Sequence, residues 1–575
     1  MKKQIQKKWI LLLCLLVLMA CVLFAIQLDQ NTFLGARILE TEQGEKYWGQ
    51  SSIQACSLTL QGTVLPRNSS SDVTFLPQSL QTAKWQGGLQ AGEGSRLYFI
   101  RDEWMENKQR AIQENHPFRY VVLNRDGQLL DKGYLVATGM AMISWHLDSP
   151  QKWNAIDGSV LEGEYDGTVT VFDPGDGNSG YSILTSRMHS RIRGNSSRYA
   201  DKKSFRMDLL DSLGEERKES LCGLRSDGKW FLNSFSADAS RIREITGLTL
   251  WNQVGADNPA DEMGSRCVYV ELVADEQYLG IYGLQEPVDR KQLGASIQDV
   301  LYKSSGHRWP TEEEFEYILG LGWQEGEYEI LVEKDRWAWQ EGGTQYYWNP
   351  VYLKVNKHTA KLAVKFFPED MEDPWQPMRT FIGLMHQTDT DLETMDAWCD
   401  RSNLVDVSLF RQVIFGWDNL TNNNYYYAQK TDTGWKITYV PWDLDNTFGN
   451  GWQACHNDGT MNSTASLILG RDVACVDGYE VETQLPALAQ YQAGNRELLH
   501  RWKQLRAGVF SDEAVIGLLT ENQNRLEESG ALIRERENWD AGETEDTYEA
   551  ICEFTRLRLS YLDEYFEELE KENAS

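Results

Sequence analysis

The chain has 575 residues, 41% of them apolar and 11% aromatic, a composition of folded domains rather than of a disordered stalk. Its net charge of −30 argues against nucleic acid as a partner, because a phosphate backbone requires a positive surface; it suits a basic partner or plain solubility. A chain of this length exceeds what one core can serve, so two or three domains are expected.

Residues 1–8 carry four lysines and no acid, and Trp9–Ile26 is an unbroken apolar run of 18 residues. That run can span a bilayer, and the lysines on its N-terminal side place the N-terminus in the cytoplasm and the rest of the chain outside. The expectation is a basic tail over 1–8 and a signal anchor over 9–28, giving a single-pass membrane protein with an extracytoplasmic body. A cleaved signal peptide is disfavoured because the run is long and no A-x-A-like site follows. Leu18-Met19-Ala20-Cys21 is a weak match to a lipoprotein cleavage box, and that alternative also puts the body outside.

Residues 29–160 read as β-rich and membrane-proximal. Strand patterns are expected at Ser57–Val64, Arg96–Ile100, Phe118–Leu123 and Gly133–Ala137, with one helix around Arg110–Glu114. No spacing in this block carries chemistry.

From about 161 the pattern changes. Strands are expected at Thr168–Phe172 and Tyr181–Ile192, and the second leads into Arg193-Gly194-Asn195-Ser196-Ser197. Lys202-Lys203-Ser204-Phe205-Arg206-Met207-Asp208-Leu209 alternates as a strand with lysines at its start. A lysine there can reach into a cleft and neutralise phosphate, or the pair can simply be solvated on an edge strand. Asp238 caps an apolar periodicity through Ile242, Ile245, Leu248 and Val254. Two strands follow, Val268–Val273 and Tyr278–Leu284, turning at Asp275-Glu276 and ending in Gln285-Glu286-Pro287-Val288-Asp289.

The richest stretch is FGWDNLTNNNYYYAQKTDTGWKITYVPWDLDNTFG, residues 415–449. It reads as a hairpin with its turn at Thr431–Gly434 and its second strand at Trp435–Val440. Asp418 precedes the hairpin by an interval that places Asn423 five residues on and Asn424 six. Asp443 and Asp445 stand just past the second strand, where side chains converge on a cleft rather than fill a core. An Asp, an Asn five positions later, a hairpin and then a metal-binding Asp is the spacing of a kinase catalytic loop, here without the flanking His-Arg and Phe-Gly.

Taken together, RGNSS at 193–197, KKSFRMDLL at 202–210, SADASRIRE at 236–244, VYVELVADEQYLGIYGLQEPVD at 268–289, LYKSSG at 301–306, WDNLTNNNYYY at 417–427 and PWDLDNTFG at 441–449 closely resemble the spore coat CotH kinase family. The resemblance implies an α+β, bilobal, protein-kinase-like domain over 161–485 that lacks the usual Gly-rich loop. It implies ATP with Mg²⁺ or Mn²⁺ as cofactors and a protein substrate, basic in character if the net charge has a purpose. Asp418 matches the catalytic residue that orients and deprotonates the acceptor hydroxyl. Asp443 matches the metal-binding Asp, and Asp445 shares that duty. The amide is either Asn423, by spacing, or Asn424, by its place before the tyrosine run. Lys202, with Lys203 as alternative, matches the phosphate-binding lysine; Glu286 matches a Glu of the hinge beside the nucleotide; Arg193 faces the phosphates or fixes its turn. Glu244 is the candidate carboxylate partner of the lysine, although Arg243 is the better family match.

Two other classes compete. Asp443-Leu-Asp445-Asn-Thr447 also fits the nucleophile motif of haloacid-dehalogenase-type phosphatases, but the following chain is loop-rich to about 485 and then helical, without the alternation that fold needs. The stronger alternative is a non-catalytic kinase-like surface protein that binds glycan or protein, suggested by 21 tryptophans and the scarcity of ATP outside a cell. Residues 486–575 read as a helical segment packed on the large lobe, with helices at Arg496–Ala507, Ser511–Glu528 and Thr547–Lys571. Seven cysteines follow the apolar run, none in a C-x-x-C, so a metal finger is unsupported and at least one thiol is free. Cys455 and Cys475 are the first candidates for a disulfide.

Overall fold

A computed structural model describes residues 31–80, 88–153, 158–175, 180–194, 196–257, 264–304, 362–387, 390–419, 422–450, 496–539 and 547–574. It also describes short strands at Glu329–Leu331, Trp337–Glu341, Thr344–Trp348, Tyr352–Lys354, Ala474–Val476 and Tyr479–Val481. The Trp9–Ile26 run and Cys455 lie outside the described residues, so the anchor and the Cys455–Cys475 pairing are not addressed by it. Among the described residues no helix is long and apolar enough to cross a membrane. Five cysteines, Cys56, Cys222, Cys267, Cys399 and Cys552, are free thiols.

The chain divides into two compact units that interleave in sequence. One comprises Met1–Gly228, Tyr269–Tyr282 and Arg525–Asp540; the other comprises Lys229–Val268, Gly283–Asn524 and Ala541–Ser575.

The first unit contains a seven-stranded mixed sheet in the order Thr32–Phe33, Ala36–Leu39, Arg96–Ile100, Phe118–Leu123, Leu129–Ala137, Val73–Leu76, Arg67–Asn68. Its central strand Phe118–Leu123 is buried on both faces apart from the half-buried Arg119, which is why it reads as apolar from Tyr120 to Leu123 without alternation. Phe118, Tyr120 and Val122 join one core with Leu58, Leu60 and Phe99, while Val121 and Leu123 join another with Leu39 and Ile100. The expected Ser57–Val64 strand is instead a tight hairpin, Thr59–Leu60 against Thr63–Val64, because Gln61 and Gly62 both adopt positive φ. The expected helix is present at Lys108–Gln113.

Four further strands run antiparallel in succession, Met142–Leu147, Glu164–Asp173, Ser182–Arg193 and Ser204–Leu210. Met142–Leu147 also pairs in parallel with residues of Cys267–Ala274. That strand and the next, Gln277–Gln285, turn at Asp275 and Glu276, whose φ values of 45° and 59° suit a two-residue hairpin. Asp275 repays its left-handed geometry by accepting hydrogen bonds from the backbone N–H groups of Leu147 and Gln151, at 2.9 and 2.8 Å. The helix Ala531–Asn538 belongs to this unit although it comes from the C-terminal part of the chain.

The second unit is built on a four-stranded antiparallel sheet in the order Leu362–Phe366, Val300–Ser304, Asn424–Lys430, Trp435–Pro441. One face carries Leu301, Tyr425, Tyr427, Val440 and Trp442 with Val288 and Leu293. The helix Arg401–Ile414 packs against Trp435–Pro441 and against Arg243–Val254, Arg496–Arg506 and Tyr548–Ala574. It is buried along nearly its whole length, so it lacks the one-sided periodicity by which a surface helix is read from sequence. The helix expected from Asp238 begins at Arg243, because Asp238 sits in a preceding turn and caps from five residues away.

Candidate active site

Helix Arg401–Ile414 ends at Phe415, which takes the left-handed conformation at φ 51° and turns the chain into the short 3₁₀ turn Trp417–Asn419. Asp418 is thereby held at the head of the hairpin and only 7% exposed. Its Oδ1 accepts from Asn422 Nδ2 at 2.8 Å, and its Oδ2 from Asn423 Nδ2 at 3.0 Å and Asn446 Nδ2 at 3.3 Å. Burial, with the nearby Asp443 charge adding to it, pushes the Asp418 carboxyl from 3.8 up to about 6 despite these amide donors.

The second strand of the hairpin ends at Pro441, and the chain then bends sharply. Asp443 has φ 61°, a conformation costly for most side chains but accessible to Asp and Asn. Phe448 and Gly449 are also left-handed. Such a concentration of unusual backbone marks a loop whose shape is imposed by its surroundings. Burial, then the charges of Asp443, Glu244, Asp418 and Asp238, hold the Asp445 carboxyl well above its ordinary range. Asn446 Nδ2 lies 3.2 Å from Asp445 Oδ1, so one amide bridges Asp445 and Asp418.

The surroundings that impose this shape come from the start of helix Arg243–Val254. Glu244 Oε2 accepts the backbone N–H of Leu444, and Glu244 Oε1 accepts from Gln285 Nε2 at 3.0 Å. Arg243 Nε donates to the Thr447 carbonyl at 2.9 Å while its Nη1 meets Asp238 Oδ1 at 2.6 Å, all in the buried interior. Gly247 allows Leu444 to seat against the helix, since a Cβ there would stand 2.8 Å from Leu444 Cδ1. From the other side Asn419 donates its amide to the Trp442 carbonyl at 2.8 Å, and among the described residues its buried Oδ1 has no hydrogen-bond partner.

The structure therefore brings Asp418, Asn423, Asp443 and Asp445 together in the second unit. Asn424 is separated from them by its own bonds: its Nδ2 donates to the carbonyls of Asn419 and Asn422, and its Oδ1 accepts from Arg411 Nη2 at 3.0 Å. Glu286, in the same unit, is buried and meets Arg266 through both carboxylate oxygens, at 2.8 and 3.4 Å.

Lys202, Lys203 and Arg193 belong to the first unit. The lysines are 4% and 3% exposed, so the solvated edge-strand reading is corrected. They precede the strand Ser204–Leu210 rather than start it, and Arg193 stands in register with Ser204. Lys202 Nζ meets Glu535 Oε1 at 2.6 Å and the Ile281 carbonyl at 2.5 Å. Lys203 Nζ donates to the Arg198 carbonyl at 2.7 Å. Glu244 accepts from the Leu444 N–H and from Gln285, and Glu535 is one carboxylate on Lys202.

Reading by motif missed Asn419, Asn422, Asn446, Arg243's tie to Thr447, and Glu535. The density of asparagine between 419 and 424 was a usable signal, since amides that both donate and accept are suited to cross-linking a loop. Glu535 carries no local signal.

The donors gathered around Asp418, Asp443 and Asp445 are all oxygen and amide groups, the hard set that Mg²⁺ or Mn²⁺ takes. Among the described residues no three His, Cys, Asp or Glu side chains are grouped to hold a metal by themselves. Mg²⁺ ordinarily takes one or two carboxylates and completes its shell with phosphate oxygens and water, so Asp443 and Asp445 fit a cation that arrives with a polyphosphate. The clustered carboxylates, with Asp445 and Asp418 reluctant to ionise, supply the negative charge that such a cation neutralises.

The family model described as CotH kinase protein matches residues 190–562. None of the curated proteins compared matches the chain. The matched span is more than half of the 575 residues and contains the lysine pair, the Arg243–Val254 helix, the Asp418 turn and the Asp443–Gly449 loop, and the chain thus belongs to the kinase-related CotH family.

Proposed function

We propose that this chain is a membrane-anchored, extracytoplasmic atypical protein kinase that transfers the γ-phosphate of ATP to side-chain hydroxyls of Ser or Thr in a protein substrate. The observation that carries this reading is the Asp418–Asn423–Asp443–Asp445 cluster, in which a buried carboxylate with its pKa raised to about 6 lies beside two further carboxylates. In this reading residues 161–485 form a bilobal kinase-like domain. Asp418 aligns the acceptor hydroxyl and accepts its proton, a role for which a pKa near the working pH is suited. Asp443 and Asp445 hold Mg²⁺ or Mn²⁺, with the Asn423 amide beside them. The cation, when bound, neutralises charge on the transferring phosphoryl group. Lys202, with Lys203 as the alternative, and Arg193 supply the positive side chains for the phosphates, and Glu286 with Arg266 shapes the hinge. The lysine-flanked run over 9–28 anchors the body outside the cell, where an acidic surface favours basic substrates.

Full-length protein purified in detergent, incubated with labelled ATP and Mg²⁺ or Mn²⁺, should label itself or an added basic protein. Asp418→Asn should lower that rate by ~10² to 10⁴ while leaving ATP affinity nearly unchanged, because the contribution is made in the transition state. A wild-type protein that binds no nucleotide at millimolar ATP would defeat the reading and leave the fold as a binding scaffold.

A further inference from the structure

Both loops of the candidate site hang from the end of one helix. Asp418 stands just beyond Phe415, the left-handed residue that ends helix Arg401–Ile414. The Asp443–Gly449 loop is tied to the same turn, because the backbone N–H of Phe448 donates to the Ile414 carbonyl at 2.6 Å and Trp417 Nε1 donates to the Asn450 carbonyl at 3.2 Å. The placement of residues 412–415 therefore sets how the two groups of carboxylates face each other.

A helix end is short of hydrogen-bond donors, since its last carbonyls have no partner within the helix. Here a donor comes from the helix Tyr548–Ala574, in the same unit. Arg558 is fully buried and grips Gln412 twice: its Nε donates to the Gln412 carbonyl and its Nη2 to Gln412 Oε1, both at 2.8 Å. Its guanidinium also stands 5.0 Å from the centre of the Phe415 ring and 5.3 Å from that of Tyr561. Phe554, from the preceding turn of that helix, meets the Phe415 ring edge-on at 5.6 Å. A cation at the negative end of a helix dipole is favourable by itself, and the planar fork of the guanidinium adds direction. A φ of 51° is strained for any residue but glycine, yet position 415 carries a wholly buried phenylalanine. Glycine would relieve the backbone and lose the ring that Arg558 and Phe554 hold.

We propose that Arg558 is a positioning residue of the active site: by clamping Gln412 and Phe415 it fixes Asp418 relative to the Asp443–Gly449 loop, which makes the helix Tyr548–Ala574 part of the catalytic apparatus. The effect on catalysis rests on the kinase reading above; the clamp on the helix end does not.

The test uses the full-length protein in detergent, below the melting temperature of every variant. Arg558→Met keeps an unbranched side chain and removes its donors. It should lower kcat for phosphoryl transfer at least ~10-fold, since a misplacement of about 1 Å suffices for such a loss, while the KM for ATP stays within about 3-fold. Arg558→Lys keeps the charge without the fork, so its kcat should fall between the two, and it carries the test if Arg558→Met does not fold. Arg534→Met, which breaks a buried ion pair of the first unit, is the control for lost stability alone, and its kcat per folded molecule should stay within about 2-fold of wild type. In hydrogen exchange, peptides spanning 412–419 and 441–450 should exchange at least ~10-fold faster in the folded Arg558 variants, with no change over Phe118–Leu123. A kcat within about 2-fold of wild type in every folded Arg558 variant, a loss matched by Arg534→Met, or a rise in KM with kcat unchanged refutes the positioning role. Unchanged exchange at both peptides refutes the clamp. If the wild-type protein transfers no phosphate, the kinase reading fails, and the exchange comparison then judges the clamp separately.

Discussion

In the first unit, buried charges meet their opposites. Arg534 binds both oxygens of Glu271, at 2.7 and 2.9 Å, and also donates to Asn115 and to the carbonyls of Thr138 and Ser529; Lys202 meets Glu535 beside it. In the Asp418 and Asp443–Gly449 loops of the second unit, carboxylates are instead gathered against one another, and burial together with their mutual repulsion raises the Asp418 and Asp445 pKa values. The first arrangement serves the fold, since a satisfied buried pair fixes which surfaces dock and is costly to break by halves. The second opposes the fold and is tolerated because tight loops and an amide network hold it, which is how a site prepared for an external cation differs from a structural ion pair.

The comparison breaks most sharply at Asp443. Asp443→Asn should abolish phosphoryl transfer, by at least ~10³-fold, because the carboxylate for the cation is gone. The fold should survive, since Asn is among the few residues that accept φ 61°. Transfer within a few-fold of wild type would exclude Asp443 from the site, and a collapsed melting curve would mean that the carboxylate is structural after all.

The reverse result is expected at Arg534. Arg534→Met strands Glu271 with Tyr278 in the interior of the first unit and should cost about 3–5 kcal/mol in chemical denaturation. A loss below ~1 kcal/mol would remove the contrast between the two kinds of buried charge.

A smaller effect, opposite in sign, is expected at Asp418. Its carboxyl titrates near 6 in the folded protein and near 3.8 when unfolded, so the folded state binds the proton more tightly. Stability is therefore unaffected by this group below both values and falls as pH rises from about 4 to 6, by on the order of 3 kcal/mol. Metal-free Asp418→Asn should accordingly be more stable than wild type at pH 8, with the difference vanishing below pH 4. Because Asp418 interacts with Asp443, the measured midpoint belongs to the cluster rather than to one residue. Equal stabilities at pH 8 would mean that the carboxylate is already compensated in the free protein.

What could be read in advance follows the range of the interactions. Asp418 and Asn423 lie five residues apart at the head of a hairpin, and Asp443 follows its second strand, so one turn and one register bring them together. The strands of the Phe118–Leu123 sheet and of the hairpins were legible because alternation, Gly and Asx signals are local. Spacing left Asn423 and Asn424 open; their separation depends on Arg411 and on the carbonyls of Asn419 and Asn422. The short helices between Gln376 and Ile414 were missed, and the buried Arg401–Ile414 among them has no polar face to mark it.

By itself, the sequence determined the family, the acidic pair past a strand, the Asp–Asn interval, and the basic tail and apolar run from which an anchor is expected. Only the tertiary structure decided which carboxylate meets which cation. Glu535 reaches Lys202 across 333 positions, and Glu244, 200 positions from Leu444, turns to that backbone N–H. The physical reason is that a buried charge accepts whichever partner the packed chain delivers within about 3 Å, and that choice is made by the closure of long loops, which leaves no periodicity in the sequence around either residue.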